Sequence, residues 1–343
     1  MKRNSVFFVK LISAIVLVSL VIGVANYCYK NDYYYMDVYG EIDAMKNVPY
    51  EITMVNFGTS HGLSAFQYSE DDSGEIRYNL ALSGEDIYHD FQTLKQFTNH
   101  LAEGCIVALP TSYFSFCMST DTPSQKRYYL YLDKEYIRDF NYETLINAKY
   151  LPVLRSGEFI IKNLINDQEM DLGGMMMNDG DNSENSQSGV LTVSAKAIEK
   201  QNEAVSALKQ KDEELTYHAK GRAVSWRSGY MITGRKYMAE NTEILAEMVE
   251  YCYSHGFKPV LVTTPIYKAL NNEFSDEELK ECYFNNIDKV VKKTDVPYLN
   301  LSHDEVFSDN PEFFENSDHM NLQGSEAFLE KYYKFLIGLD YIK

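Results

Sequence analysis

Two short segments that lie far apart in the chain carry residue types that together could perform nucleophilic catalysis. In the first, residues 56–62, Ser60 stands on a turn between a buried strand and a short predicted helix. In the second, residues 316–324, Asp318 and His319 precede the last predicted helix. A serine hydroxyl does not ionise at neutral pH, so it needs a base such as histidine to become a nucleophile. The pattern therefore predicts Ser60 as the nucleophile and His319 as its general base.

Each segment alone has an ordinary structural interpretation. A serine after a glycine turn is commonly a helix N-cap, and a polar loop with Asp and His is commonly solvated. The hydrolytic interpretation requires both loops to open on the same rim of one sheet. Backbone N–H groups at the start of the helix after the turn would then form part of an oxyanion hole.

The rest of the chain alternates apolar runs with amphipathic stretches. Buried strands are predicted at the runs 52–57, 76–82, 105–109, 259–264 and 296–301. Helices are predicted after Ile87, after Asn241, after a capping box of Ser275 with Glu278, and over 322–337 with Asn321 as the cap. Gly104 is expected to end the first of these helices and Asn241 to cap the second. The alternation predicts an α/β fold: a doubly wound parallel sheet of the flavodoxin-like type, with helices on both faces and ligands at the carboxyl ends of the strands.

Residues 115–238 break this pattern and are interpreted as an insertion region, partly helical, that lines the substrate cleft. The polar tract 178–189 is interpreted as a mobile insertion loop. Arg222, Trp226 and Arg227 form a basic and aromatic cluster, which either packs structurally or binds a carbohydrate or phosphate group.

The N-terminal segment is predicted to be a membrane anchor. Lys2, Arg3 and Lys10 accompany an apolar run that ends at Ala25. With Lys10 reaching toward the headgroups, the run approaches the roughly 20 residues that a spanning helix needs. The positive-inside rule then keeps the N-terminus in the cytoplasm and exports the remainder. A cleaved signal peptide, with Gly23-Val24-Ala25 as the cleavage site, is the alternative.

In this interpretation the chain has a transmembrane anchor at 1–29, a linker at 30–48 and one α/β domain at 49–343 that contains the insertion. The formal net charge of −18 argues against nucleic acid as a partner, because nucleic acid is bound mainly through Lys and Arg. The five cysteines form no CxxC pair and no Cys/His cluster, so no metal site is predicted. No cofactor is implied.

Taken together, the motifs resemble those of the SGNH (GDSL-like) hydrolase superfamily. Gly58-Thr59-Ser60 is similar to its first block, residues 79–84 to its second, and Asp318-His319 with the following Asn and Gly to its fifth. The resemblance covers roughly residue 51 to the last residue of the chain, excluding the insertion. With the N-terminal anchor, the chain is most similar to envelope proteins related to DltD of teichoic-acid D-alanylation and to polysaccharide O-acetylation proteins.

The resemblance implies roles for individual residues. Ser60 would attack an acyl carbonyl, His319 would accept its proton, and the N–H groups of Ser60 and Gly84 would bind the oxyanion. The superfamily's third block, Gly-x-Asn-Asp, is absent here. Thr111, Ser112 or a backbone N–H would have to replace its asparagine, since losing one oxyanion donor typically costs about a hundredfold or more in rate.

The sequence leaves open which residue orients the imidazole. The family's aspartate stands three residues before the histidine, and this position is Asn316 here. Asn316 orienting the ring, Asp318 bending back to it, and a Ser60–His319 dyad are all compatible with the motif. Asp318 is preferred, because a carboxylate stabilises the imidazolium and an amide does not.

The expected function is that of an extracytoplasmic serine esterase or O-acyltransferase acting on an acylated envelope glycopolymer or teichoic-acid-like polymer. Proteins of the kind it resembles often work beside a membrane-bound O-acyltransferase, which makes such an enzyme a candidate partner. The first alternative is a catalytically degenerate SGNH domain that serves as a binding or scaffold subunit of such a system. A sugar-binding module is a third interpretation, motivated only by the 28 tyrosines.

Overall fold

The structure is a computed structural model that describes residues 2–30, 40–69, 74–120, 123–150 and 192–342. Contacts divide the chain into two compact units, Met1–Val38 with Asn141–Ala207, and Tyr39–Phe140 with Leu208–Lys343. The second unit contains the sheet and every candidate site residue. The polar tract at 178–189 lies outside the described residues.

The second unit is built on a five-stranded parallel sheet. Its strands are β1 (Ile52–Asn56), β2 (Arg77–Asn79), β3 (Leu101–Thr111), β4 (Lys258–Thr263) and β5 (Tyr298–Asn300). Their spatial order is β2-β1-β3-β4-β5. This is the order of doubly wound, flavodoxin-like sheets, and it confirms the predicted α/β class. The order reverses between β1 and β3, so a crevice for ligands is expected at the carboxyl ends of those two strands.

The α-helices vary widely in length. In chain order they are α1 (Lys2–Lys30), α2 (Ser60–Ala65), α3 (Ile87–Phe97), α4 (Tyr142–Lys149), α5 (Thr192–Trp226), α6 (Met238–Ser254), α7 (Lys268–Asn271), α8 (Asp276–Leu279), α9 (Asn285–Thr294), α10 (Glu305–Ser308) and α11 (Leu322–Gly338). Turns of 3-10 helix lie at Gly40–Lys46, Thr98–His100, Ser115–Cys117, Pro123–Leu130, Lys134–Tyr136, Arg235–Tyr237 and Pro311–Phe313. Turns of π-helix lie at Arg227–Met231 and at Lys280–Phe284, where the latter joins α8 to α9.

Both faces of the sheet are buried. Met54, Ala108 and Val262 share one core cluster with side chains of α2 and α11. The residues that alternate with them, such as Val107 and Leu261, point to the other face and are also fully buried. Helix α6 contacts both α3 and α9 in the second layer. Burial of each aliphatic side chain of this kind contributes about 1.5–3 kcal/mol, which holds the strand ends and their loops in place.

Two predicted helix boundaries are wrong. Gly104 does not end a helix; it lies inside β3 with a φ of +73°, where a residue with a side chain would be strained. Asn241 does not cap α6, which begins at Met238; its buried amide donates instead to the carbonyl oxygens of Phe116 and Met118. By contrast, Asn321 caps α11 as predicted, and the predicted capping box at Ser275 is present.

The N-terminal helix α1 contains an apolar stretch, Val6–Tyr27, of 22 residues. It is long and apolar enough to cross a membrane, and no part of it is buried within the protein. A signal sequence has the same properties. The structure is therefore compatible with a single N-terminal anchor.

Candidate active site

Ser60 lies at the carboxyl end of β1, as the first residue of α2. The turn before it contains Gly58, whose φ of +106° and close approach to β3 leave no room for a side chain: an added Cβ would lie 2.9 Å from the carbonyl oxygen of Pro110. The Gly58 N–H donates to the buried carboxylate of Asp90 at 2.8 Å. Thr59 caps α2 by accepting from the N–H of His61. These contacts fix the turn that presents the Ser60 hydroxyl.

His319 lies on the loop between the 3-10 turn Pro311–Phe313 and α11. This loop closes on itself through a bridge between Phe314 and Met320. The Asn316 side-chain oxygen accepts from the N–H of Asp318 at 3.2 Å and from the N–H of His319 at 3.0 Å. Such a local side-chain turn is common for Asn, and it holds the loop in one conformation.

The two loops meet in space, although their residues are 259 positions apart. Ser60 Oγ lies 2.7 Å from Nε2 of His319. The other ring nitrogen, Nδ1, lies 2.9 Å from the Asn316 oxygen. Because an amide oxygen can only accept, Nδ1 carries the proton and Nε2 accepts from the Ser60 hydroxyl. Nucleophile, base and orienting group thus form one hydrogen-bonded chain.

The preference for Asp318 as the group that orients the base is corrected by this geometry. Its nearer oxygen is 3.8 Å from Nδ1 of His319, beyond hydrogen-bonding distance. That oxygen accepts instead from Nε2 of His61 at 3.1 Å, and the other accepts from Nε of Arg222 at 2.9 Å. Side chains of adjacent residues diverge: that of Asp318 is buried, whereas that of His319 is partly exposed.

The residues predicted to bind the oxyanion fall into two groups. The Thr111 hydroxyl is 2.7 Å from the buried hydroxyl of Tyr283, so it is engaged away from Ser60. Ser112 Oγ lies 2.8 Å from Nδ1 of His61. Gly84 follows β2 with a φ of +64°, and its backbone lies on the same rim of the sheet as Ser60. The N–H groups of Ser60 and Gly84 stay the predicted donors for an oxyanion.

Burial sets the protonation of the base. It lowers the pKa of His319 to about 4; nearby Asp318 opposes this shift, while His61, Arg222 and His218 add to it. Burial alone would raise the pKa of Asp318, but the His61 hydrogen bond and the surrounding positive groups hold it at about 2. At neutral pH the imidazole is neutral and can accept a proton, as a general base must.

The sequence assigned no part in the catalytic site to three residues that lie near the dyad, His61, Arg222 and His218. His61 joins Asp318 to Ser112. Arg222 and His218 come from the second-unit part of α5, where His218 lies 2.7 Å from the Ser317 hydroxyl. The Arg222–Trp226 cluster of the sequence is structural at one end, since Trp226 is buried against His61 and Phe114. The spacing of four residues between His218, Arg222 and Trp226 indicates that they share one face of a helix. It does not indicate which loop that face contacts.

A metal ion is the other chemistry that the residues permit. His61, Asp318 and His319 each offer one ligand atom, and these atoms lie within 4.8 Å of one another. Ring nitrogens and carboxylates suit zinc and related ions. However, both ring nitrogens of His319 and of His61 already have hydrogen-bond partners. The Asp318 carboxylate is already paired with the guanidinium of Arg222. The donor set fits the serine and histidine chemistry better than it fits a metal.

In comparisons with known proteins, no family model and no curated protein matches this chain.

Proposed function

We propose that the chain is a serine esterase or O-acyltransferase. The observation that carries the proposal is the 2.7 Å separation of Ser60 Oγ and His319 Nε2, with Nδ1 held by Asn316. A hydroxyl bonded to a neutral imidazole, which is itself oriented by a third group, is the geometry of an activated nucleophile. The side chain of His319 is 17% exposed, so the base is partly accessible without being freely solvated.

The reaction follows from these contacts. Ser60 Oγ attacks the acyl carbonyl of an ester while its proton passes to Nε2 of His319. Collapse of the tetrahedral intermediate expels the alcohol, which takes that proton. Water or a second hydroxyl then gives its proton to Nε2 and attacks the acyl-serine ester, which releases Ser60. Water as the acceptor gives hydrolysis, and a sugar hydroxyl gives transfer.

The oxyanion of each intermediate would be held by backbone N–H groups. The first-turn N–H groups of a helix have no partner within the helix, and that of Ser60 is the nearest to the reacting carbon. Gly84 supplies the second, because its backbone follows the neighbouring strand. Side-chain donors contribute less here than in sites that have an asparagine, so we expect a modest rate.

The resemblance to SGNH hydrolases and the N-terminal helix support a location and a substrate. We propose that α1 anchors the protein and that the second unit lies outside the cytoplasm, where acylated glycopolymers or teichoic-acid-like polymers are the available esters. Such a location would place the site near a membrane-bound O-acyltransferase as a partner.

One observation favours a second candidate, a degenerate domain that binds an acylated polymer or a partner without turnover. The Thr111 hydroxyl points to Tyr283, so it does not replace the missing third-block asparagine. An oxyanion hole with backbone donors alone would be weaker. The enzyme proposal is preferred, because binding alone would not require a serine that is hydrogen-bonded to an oriented imidazole.

The test uses the full-length chain in detergent micelles and a fluorophosphonate probe, which reacts with activated serines. The proposal predicts labelling of one peptide, the one that contains Ser60, and loss of labelling in Ser60→Ala. Ser64→Ala is the matched control, because this serine lies in the same short helix and is expected to leave labelling unchanged. No labelling of wild type, or labelling that is undiminished in Ser60→Ala, would contradict the enzyme proposal and support the degenerate domain.

A further inference from the structure

We propose that His61 is a positioning residue: its hydrogen bond to Asp318 holds the turn that carries Ser60 in register with the loop that carries His319. The inference rests on the proposed function, because it assigns a role in the same reaction. His61 itself does not touch the reacting atoms.

Two neighbouring side-chain pairs join the two loops. Ser60 pairs with His319 at 2.7 Å, and the next residue, His61, pairs with the preceding residue, Asp318, at 3.1 Å. A single contact fixes a distance but leaves rotation free. Two contacts between the same two dipeptides fix the relative orientation as well, which a proton transfer requires.

The second pair is the buried one. The side chains of His61 and Asp318 are each 2% exposed. Asp318 also accepts from Arg222 of α5, and His61 also contacts Ser112, which directly follows β3. The network therefore joins four elements, and each member has its partners. A buried, satisfied network of this kind holds its members in one arrangement more rigidly than a solvent-exposed pair.

The His61 ring is not a second base. Its centroid lies 5.2 Å from that of His319, edge to face. Nδ1 is committed to Ser112 and Nε2 to Asp318, so neither nitrogen is left to accept the Ser60 proton. What His61 does for His319 is indirect: it holds Asp318 away from Nδ1, which leaves that nitrogen to Asn316.

This role makes an electrostatic prediction. The charged and titratable groups that act on His319 are Asp318, His61, Arg222 and His218. Replacement of His61 by a residue that does not contact Asp318 would remove the His61 ring, which opposes protonation of His319. It would also release the Asp318 carboxylate from this hydrogen bond, and that carboxylate favours protonation of His319. Both changes raise the pKa of His319.

The experiment compares His61→Gln with His61→Asn in the full-length chain. A glutamine amide reaches the position of Nε2 and can still donate to Asp318. An asparagine amide reaches only the position of Nδ1, so it keeps the contact to Ser112 and loses Asp318. His255→Leu is the control, because His255 is exposed and forms its hydrogen bonds with Tyr251 and Ser254, which precede it in the chain.

For His61→Asn we expect kcat for a neutral ester to fall by about tenfold to a hundredfold, with KM within about threefold. The acidic limb of the kcat/KM profile should move to higher pH. His61→Gln should recover most of both effects. Equal behaviour of the two variants, or a folded His61→Asn enzyme with wild-type kcat and pH profile, would overturn the proposal. So would failure of both variants to fold while His255→Leu folds, since His61 would then serve stability alone.

An NMR titration of the His319 ring gives an answer that does not need turnover. The pKa of His319 should rise in His61→Asn and stay near the wild-type value in His61→Gln. If wild type shows no Ser60-dependent turnover, the proposed function fails, and this titration still decides whether His61 positions the base. An unchanged pKa in His61→Asn would contradict the positioning role.

Discussion

The Asn316 side-chain oxygen lies 2.9 Å from Nδ1 of His319, at the place where sequence reasoning preferred the carboxylate of Asp318. The same oxygen accepts two backbone N–H groups of its own loop. One amide therefore orients the ring and shapes the loop that carries it. An amide contributes no charge to the imidazolium that forms during reaction, so orientation is its main contribution.

Replacement of Asn316 should separate orientation from charge. Asn316→Ala removes the acceptor, and we expect kcat to fall by about tenfold to a hundredfold, a part of what a general base contributes. Asn316→Asp keeps an acceptor and adds a negative charge, which favours the imidazolium and raises the pKa of His319. Steady-state kinetics across pH measure both. Equal activity of Asn316→Ala and wild type would show that the ring is oriented by other groups.

The pH dependence follows from the buried base. Because burial lowers the pKa of His319 to about 4, the neutral form prevails above that pH. The kcat/KM of the wild-type chain should rise as the pH increases through about 4 and be flat from about 6 to 8. An acidic limb near 6.5, the ordinary value for histidine, would mean that the base is solvated during turnover.

The same shift affects stability. Between about 4 and 6.5 the unfolded chain binds a proton at His319 and the folded chain does not, so the free energy of unfolding should fall as the pH is lowered through this window. His319→Gln removes this group. Chemical denaturation at several pH values should show a smaller loss for the variant than for wild type.

Thr111 provides a test of the oxyanion assignment. Since its hydroxyl contacts Tyr283 and not the cleft, Thr111→Val should leave kcat within about twofold of wild type. The lost buried hydrogen bond should lower the free energy of unfolding by about 1–3 kcal/mol. A hundredfold loss of kcat without loss of stability would place this hydroxyl in the oxyanion hole after all.

The turn that precedes Ser60 requires a glycine at position 58. Gly58→Ala should lower the free energy of unfolding by at least about 1–3 kcal/mol, because the φ of +106° is strained for alanine and its Cβ meets backbone. Kinetics and thermal denaturation are both expected to register the change. Gly221→Ala is the control: it lies inside α5 and its Cβ would meet nothing within 4 Å, so alanine should be neutral or stabilising there. Equal effects of the two substitutions would argue against a special turn at Gly58.

The sheet and most helices were predictable from sequence because their signals are local. Apolar runs such as Cys105 to Leu109 alternate with amphipathic stretches, and the N-cap residues Asn321 and Ser275 indicate where their helices begin. The predictions that Gly104 ends a helix and that Asn241 caps one were wrong, because tertiary contacts overrode local propensity. A glycine suits a strained strand position as well as a helix end, and the Asn241 amide serves a distant loop.

The candidate site was predictable only in outline. The types and positions of Ser60 and His319 indicated a pair, since Ser60 follows the first strand and His319 lies between the last strand and the last helix. The choice between Asn316 and Asp318 depended on side-chain direction within one loop, which residue identity does not encode. The His61–Asp318 and Arg222–Asp318 contacts join segments about 257 and 96 residues apart, and nothing in a single sequence relates them.

The most direct test of the central claim is to trap the acyl-enzyme. The full-length chain is mixed with para-nitrophenyl acetate, quenched in acid after a short interval and mapped by mass spectrometry. The account predicts one acetyl group on the peptide that contains Ser60, formed at least about a hundredfold more slowly in His319→Gln. Acetyl transfer to other residues only, or an equal rate in wild type and His319→Gln, would contradict the claim that His319 activates Ser60.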